Sequence, residues 1–231
     1  MIFFPQYASR DEPRSSRRIV SEKGTQLAAV HLFNPDAKFT VWYFHGNAES
    51  LADISPRLEE LRRFGFSVFA LEYPGYGTSD GRATEKEIFR SLDSGLRFLR
   101  ADLKVAPENL LIYGRSLGSG PAVEIASRVN VRALILESAF TSAYRVMTRW
   151  PLLVGDRFTN LRKFPRVTCP VLVIHGRDDR TIPWRHGEAL FRAARNPLKQ
   201  SYWVEFGGHN DLPRWMGARY EETLKSFAAK L

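Results

Sequence analysis

Leu110-Leu111-Ile112-Tyr113-Gly114-Arg115-Ser116-Leu117-Gly118-Ser119-Gly120 sets a serine between two glycines, after an apolar β-type run and before a helix-like one. A strand that turns into a helix this sharply forces its central residue into a strained backbone, and side chains two positions either side would collide; Gly114 and Gly118 answer that need. Ser116 is thereby held out from the turn, with the N-terminus of the next helix aimed at any anion that forms beside it. The pattern Gly-x-Ser-x-Gly occurs by chance in many chains. Strand, elbow and helix coinciding is what gives it weight, and Ser116 is the candidate nucleophile.

Two further strand ends follow. Val171-Leu172-Val173-Ile174-His175-Gly176 is a buried-strand run that opens into Arg177-Asp178-Asp179-Arg180-Thr181-Ile182-Pro183, a polar loop with two carboxylates. Tyr202-Trp203-Val204-Glu205-Phe206 reads as a strand leading into Gly207-Gly208-His209-Asn210-Asp211. Serine, acid and histidine in this chain order match the α/β hydrolases, and differ from the orders of the chymotrypsin and subtilisin scaffolds.

The chain resembles a small serine hydrolase of the α/β-hydrolase fold, in the branch with a His-Gly-Asn-Ala oxyanion loop and a His-Gly-x-x-Asp-x-x-Ile-Pro acid loop. The residues that carry the likeness are His45-Gly46-Asn47-Ala48, Glu72 to Ser79, Gly114 to Gly118, His175 to Pro183, and Gly208 to Asp211. The branch includes protein and lipid thioesterases and many bacterial esterase-like hydrolases. The resemblance implies an α/β fold with a mostly parallel central sheet, helices on both faces and a minimal cap, a short cap-like insertion within 137–170.

Length and composition point the same way. At 231 residues the chain suits one well-buried catalytic domain spanning 1–231. Its 44% hydrophobic content with mixed charge is not that of a disordered chain. The apolar runs are strand-sized, well short of the roughly 20 residues of a membrane span, and Met1-Ile2-Phe3-Phe4-Pro5 lacks the basic leader and cleavage-type ending of a signal peptide. A soluble cytoplasmic protein is expected. The single Cys169 excludes an intrachain disulfide and a cysteine metal cluster, and reads as a small packed residue.

The formal net charge is +9, with arginines gathered at Arg14, Arg17 and Arg18, at Arg57, Arg62 and Arg63, and at Arg177, Arg180 and Arg185. Solvated helix faces account for such charge, as does peripheral attraction to an anionic membrane surface or an acidic substrate. Nucleic acid is not an expected partner, since neither a helix-turn-helix nor an aromatic stacking motif accompanies the charge. No metal or nucleotide signature is visible and no cofactor is expected; Gly75-Tyr76-Gly77 lacks the continuation of a dinucleotide fingerprint.

Along the chain, Arg18 to Glu22 and Thr25 to Phe33 alternate about Lys23-Gly24 as a hairpin, and strands and helices then take turns. Strands are predicted over Thr40 to Phe44, Ser67 to Leu71, Asn109 to Tyr113, Ala133 to Leu136, Val171 to Ile174 and Ser201 to Glu205. Helices are predicted over Asp53 to Phe64, Thr84 to Leu103 with a stripe of Ile88, Leu92, Leu96 and Leu99, Leu117 to Val129, Trp184 to Ala194, and Arg214 to Lys230. In an alternating pattern of this kind the active groups belong at the C-terminal ends of the strands.

A serine hydroxyl needs a base within hydrogen-bond reach, and His209, after a strand and two glycines, is the candidate. His45 and His175 sit in strand-end His-Gly pairs that shape loops in the family, His31 falls in a strand and His186 in a helix. Adjacent Asp178 and Asp179 compete for the acid; the family pattern places it at Asp179, with Glu137 a third position. Asp211 reads as a helix cap. The resemblance implies an oxyanion hole of the Leu117 amide and a second amide from the loop after His45, at Asn47 with Ala48 in contention. Tyr144, Met147 and Trp150, between two strands, are candidates for a substrate groove. The expected reaction is hydrolysis of a small to medium acyl ester or thioester through an acyl-serine, with a serine peptidase and a non-catalytic binding module as the alternatives.

Overall fold

The computed structural model describes residues 3–143 and 156–231. Tyr144, Met147 and Trp150, and with them the centre of the 137–170 insertion, lie outside the described residues. By its internal contacts the chain divides into two compact units, Met1–Leu111 and Ile112–Leu231.

In the first unit the strands β1 (Ser16–Val20), β2 (Gln26–Leu32), β3 (Thr40–Phe44) and β4 (Ser67–Leu71) lie in the order β1-β2-β4-β3. Strand β2 runs antiparallel to β1 and β4, and β3 runs parallel to β4. The β1–β2 hairpin turns at Gly24, whose φ of 77° is readily adopted only by glycine. Helix α1 (Ser55–Arg63) leads back into β4.

Helix α2 (Glu85–Ala101) is set by its ends: Thr84 Oγ1 accepts the Glu87 amide at 3.2 Å, acidic Glu85 and Glu87 occupy the first turn, and Arg100 the last. Ile88, Leu92 and Leu99 are buried as their spacing predicts, but Leu96 is only half-buried. The stripe runs instead through Ser91, Ser94 and Gly95. A Cβ on Gly95 would come within 2.6 Å of the Trp42 ring, so bulk supplied by β3 replaces bulk on the helix.

The second unit orders its strands β5-β6-β7-β8, with β5 at Leu110–Arg115 across the boundary, β6 at Ala133–Glu137, β7 at Val171–Gly176 and β8 at Lys199–Val204. Its helices are α3 (Ser119–Arg128), α4 (Asn160–Lys163), α5 (Arg185–Ala193), α6 (Leu212–Met216) and α7 (Ala218–Ala229). Every residue of β5, β6 and β7 is buried. Because successive side chains point to opposite faces, full burial means both faces are covered.

The parallel register pairs Glu137 with Ile174, and Gly176 with Val204. The loops that follow β6, β7 and β8 therefore leave from one edge. The predicted helix from Arg214 to Lys230 is two helices, broken at Gly217, whose φ of 53° with ψ of −131° no helix continues through. Cys169, at the entry to β7, is 5% exposed, and burial pushes its thiol up to about 12.

Candidate active site

Ser116 follows β5 directly and has a φ of 51°. For a residue with a Cβ this left-handed backbone costs roughly 1–2 kcal/mol, so the surroundings must enforce it. Helix α3 presses on β5 so closely that a Cβ on Gly114 would lie 2.5 Å from Ala122 Cβ and 2.6 Å from the Gly118 carbonyl. Gly118 itself has an ordinary helical backbone, φ −60°. Ser119 Oγ then donates to the Ser116 carbonyl at 2.7 Å and accepts from Asn160 Nδ2 at 3.2 Å. Asn160, wholly buried, also donates to the Phe140 carbonyl at 2.9 Å. Neither Ser119 nor Asn160 carries a sequence signal for this buttress, because their pairing joins positions far apart in the chain.

His209 and Asp179 meet Ser116 in a continuous chain. Ser116 Oγ stands 2.9 Å from His209 Nε2, and His209 Nδ1 stands 2.7 Å from Asp179 Oδ2. An ionised carboxylate only accepts, so Nδ1 carries the hydrogen and Nε2 is left to accept the serine proton. The arrangement can move a proton from a hydroxyl to an imidazole while the carboxylate balances the charge.

Asp179 is 5% exposed, whereas Asp178 beside it faces solvent. Its Oδ1 accepts the amides of Thr181 at 2.9 Å and Ile182 at 2.7 Å, which folds the loop around the carboxylate. Behind it His175 Nε2 lies 3.3 Å from Oδ2 and donates to the Ile182 carbonyl at 2.8 Å. Burial alone would raise the Asp179 carboxyl. The contacts from His175 and His209 outweigh burial and hold it well below the usual carboxylate range.

The histidine loop is closed by Asp211, whose Oδ1 accepts the Gly208 amide at 2.7 Å and whose Oδ2 accepts Trp215 Nε1 at 3.0 Å. Asp211 does precede α6, as predicted, but its carboxylate caps no helical amide. Leu117 is buried in the turn after Ser116.

Asn47 and Ala48 belong to the first unit. Asn47 Oδ1 accepts from Tyr76 Oη at 2.6 Å, from the Phe4 amide at 3.0 Å and from the Ala48 amide at 3.1 Å, and Ala48 has a φ of 60°. The asparagine side chain thus shapes its own turn. His45, fully buried, directs Nδ1 to the Gly46 carbonyl at 2.8 Å and Nε2 to Glu72 Oε1 at 2.8 Å. Burial lowers its pKa, yet the Glu72 contacts prevail and raise it above the ordinary imidazole value. A cleft of about 340 Å³ in the first unit, between Lys23, Pro74, Arg82 and Arg90, holds none of the predicted site residues. No described helix is long and apolar enough to cross a membrane.

An α/β scaffold with a serine on a strained strand-to-helix turn is the frame of the α/β hydrolases, and comparison with known proteins bears on that directly. The family model Hydrolase_4, described as serine aminopeptidase S33, matches residues 35–162. The chain belongs to the α/β-hydrolase family. It is 36% identical over 230 residues to the human alpha/beta hydrolase domain-containing protein 17B, covering 97% of this chain and 79% of that protein. With the mouse alpha/beta hydrolase domain-containing protein 17C it shares 37% identity over 197 residues, 84% of this chain and 60% of that one. The esterase Pf2001 of Pyrococcus furiosus superposes with a TM-score of 0.79 at 17% identity over 93% of this chain and 91% of that one, a likeness of fold.

Proposed function

We propose that residues 1–231 act as one catalytic domain that hydrolyses a carboxylic ester or thioester through an acyl-Ser116 intermediate. The observation that carries this reading is the chain from Ser116 Oγ to His209 Nε2 at 2.9 Å and from His209 Nδ1 to Asp179 Oδ2 at 2.7 Å. Ser116 Oγ attacks the acyl carbon as its proton passes to His209 Nε2. The same proton goes to the leaving group as the tetrahedral intermediate collapses, and water then attacks the acyl-enzyme with His209 again as base. Asp179 holds the tautomer and balances the imidazolium. The oxyanion is met by the Leu117 amide, a donor worth about 3–4 kcal/mol.

The ester or thioester reading rests on the resemblance carried by His45 to Ala48 and His175 to Pro183, whose branch includes thioesterases and esterase-like hydrolases. The serine aminopeptidase description of the matching family supports a peptidase as the second reading. A non-catalytic module is disfavoured by the strain at Ser116, which a chain folded only for binding has no reason to keep. The cytoplasmic setting belongs to the same proposal, as does peripheral contact with an anionic membrane, which rests on the net charge of +9.

Incubation with a fluorophosphonate, followed by mass spectrometry of the labelled peptide, tests it. Label is expected on Ser116, absent in Ser116→Ala, together with turnover of p-nitrophenyl acetate. Label on Ser119 or Ser138, both wholly buried in the native chain, would overturn the assignment. A labelled Ser116 that turns over aminoacyl amides but no ester would favour the peptidase.

A further inference from the structure

The residue before the proposed nucleophile is a buried arginine. Arg115 ends β5 with a side chain only 10% exposed. A buried guanidinium demands partners, and Arg115 has them on two sides. Nη2 donates to Asn210 Oδ1 at 2.5 Å, and Nε lies 3.6 Å from Glu137 Oε1.

Glu137 closes β6 and is 2% exposed. Its Oε2 accepts the Tyr113 hydroxyl of β5 at 2.5 Å and the Tyr220 hydroxyl of α7 at 2.8 Å. The carboxylate is therefore held from two other elements before the arginine meets it. A fixed carboxylate 3.6 Å from Nε draws the guanidinium toward it as an ion pair in a buried setting where charge attraction is little screened.

The other contact goes to an exposed side chain. Asn210 has solvent to satisfy its amide and needs no buried partner. What the bond does is hold the side chain of the residue next to His209. Ser138, wholly buried with a φ of 48°, reaches the His209 carbonyl through its Oγ at 3.4 Å. Residues 209 and 210 are thus gripped by groups from the ends of β5 and β6, the strand that presents Ser116 and its neighbour.

We propose that Arg115 is a positioning residue: it clamps Asn210 against the Glu137 anchor, and so sets the His209 imidazole over Ser116 Oγ. The inference rests on the reading of Ser116 and His209 as nucleophile and base. It assigns the arginine of the elbow a part in the geometry of proton transfer, separate from substrate binding.

The test compares Arg115→Met, Asn210→Leu, Asn210→Asp and the Arg115→Met/Asn210→Leu double variant. Each is measured by p-nitrophenyl acetate turnover per active site, titrated with fluorophosphonate at saturation, so that unfolded chains drop out. A loosened base costs about 10²-fold, the usual cost of a misplacement near 1 Å. Arg115→Met and Asn210→Leu are expected to lose that factor in kcat and in the fluorophosphonate rate with KM unchanged, because no substrate contact is removed. Asn210→Asp keeps an acceptor and recovers most of the loss. The double variant loses no more than the worse single one, as two halves of a single clamp should.

Unchanged kcat per titrated site in Asn210→Leu, or losses that multiply in the double variant, would overturn the proposal, and a rise in KM alone would make Arg115 a substrate contact instead. Asn210 is exposed, so its variants decide the matter even where Arg115→Met fails to fold. If the wild type takes no label on Ser116, the underlying reading fails and the clamp with it; a labelled wild type with indifferent clamp variants overturns the clamp alone.

Discussion

His209 Nδ1 stands 2.7 Å from Asp179 Oδ2 although thirty positions separate them in sequence. Sheet register brings this about. β7 pairs with β8 through His175 to Trp203 and Gly176 to Val204, so the loops after the two strands leave side by side. The Asp178 amide bonds the Gly207 carbonyl at 3.0 Å, tying one loop to the other one residue before Asp179.

Of the two adjacent aspartates, only Asp179 is placed to orient the imidazole. Asp179→Asn is expected to lower kcat by about 10⁴-fold, as neutralising the acid does in serine proteases. Asp178→Asn should leave kcat near the wild-type value. Steady-state hydrolysis of p-nitrophenyl acetate by the two variants checks the assignment, and a larger loss at Asp178 reverses it.

Stability in acid should carry the mark of Asp179. Its folded pKa is depressed, so its contribution is fully present above the unfolded value of about 3.9 and is lost as pH falls through the lower folded value. Urea unfolding of Asp179→Asn below about pH 4 should show a flatter loss of stability than the wild type. Parallel curves would count against it.

His45 works in the opposite direction. Both ring nitrogens face acceptors, the Gly46 carbonyl and Glu72, which favours the imidazolium. A raised folded pKa gives stability that is fully present below the unfolded value of about 6.5 and lost as pH rises through the folded one. The wild type should therefore weaken as pH rises above about 6.5, and His45→Gln should be less stable below that pH and lack the slope. Denaturant titrations across the range measure it.

Ser116→Gly and Ser116→Ala both remove the hydroxyl, yet they should differ in stability. At a φ of 51° alanine keeps the backbone strain and glycine relieves it. The relief, about 1–2 kcal/mol, exceeds the 0.4–1 kcal/mol or so that glycine's freer unfolded chain takes back. Thermal unfolding should find Ser116→Gly at least as stable as Ser116→Ala. A glycine variant clearly below alanine would mean that the elbow is not strained.

Much of this was legible beforehand. Continuous apolar runs announced β5 and β7, and the Gly114 to Gly118 spacing announced the turn, because both are local consequences of sterics. Leu96 misled the reading of α2, since periodicity cannot see that Trp42 arrives from another strand to fill the space. Arg214 to Lys230 looked like one helix because Gly217 is tolerated in helical patterns and only its dihedral angles reveal the break. Asp211 sat in a capping position but spends its oxygens on Gly208 and Trp215. Glu137 stood out only as a third candidate acid, and its pairing with Arg115 and Tyr220 did not show: buried polar pairings across β5, β6 and α7 have no period, and nothing in a linear reading brings 115, 137 and 220 together.

Cys169 has a use of its own for anyone following this protein in solution. The chain has one thiol, buried at 5% exposure and pushed up to about 12, so a colourless alkylating agent meets almost no thiolate while the native packing holds. Modification must wait for the entry to β7 to come apart, and its rate then counts opening events in the strand that leads to Asp179. The molecule carries a built-in clock for its own unfolding, readable in the native protein with no label engineered in.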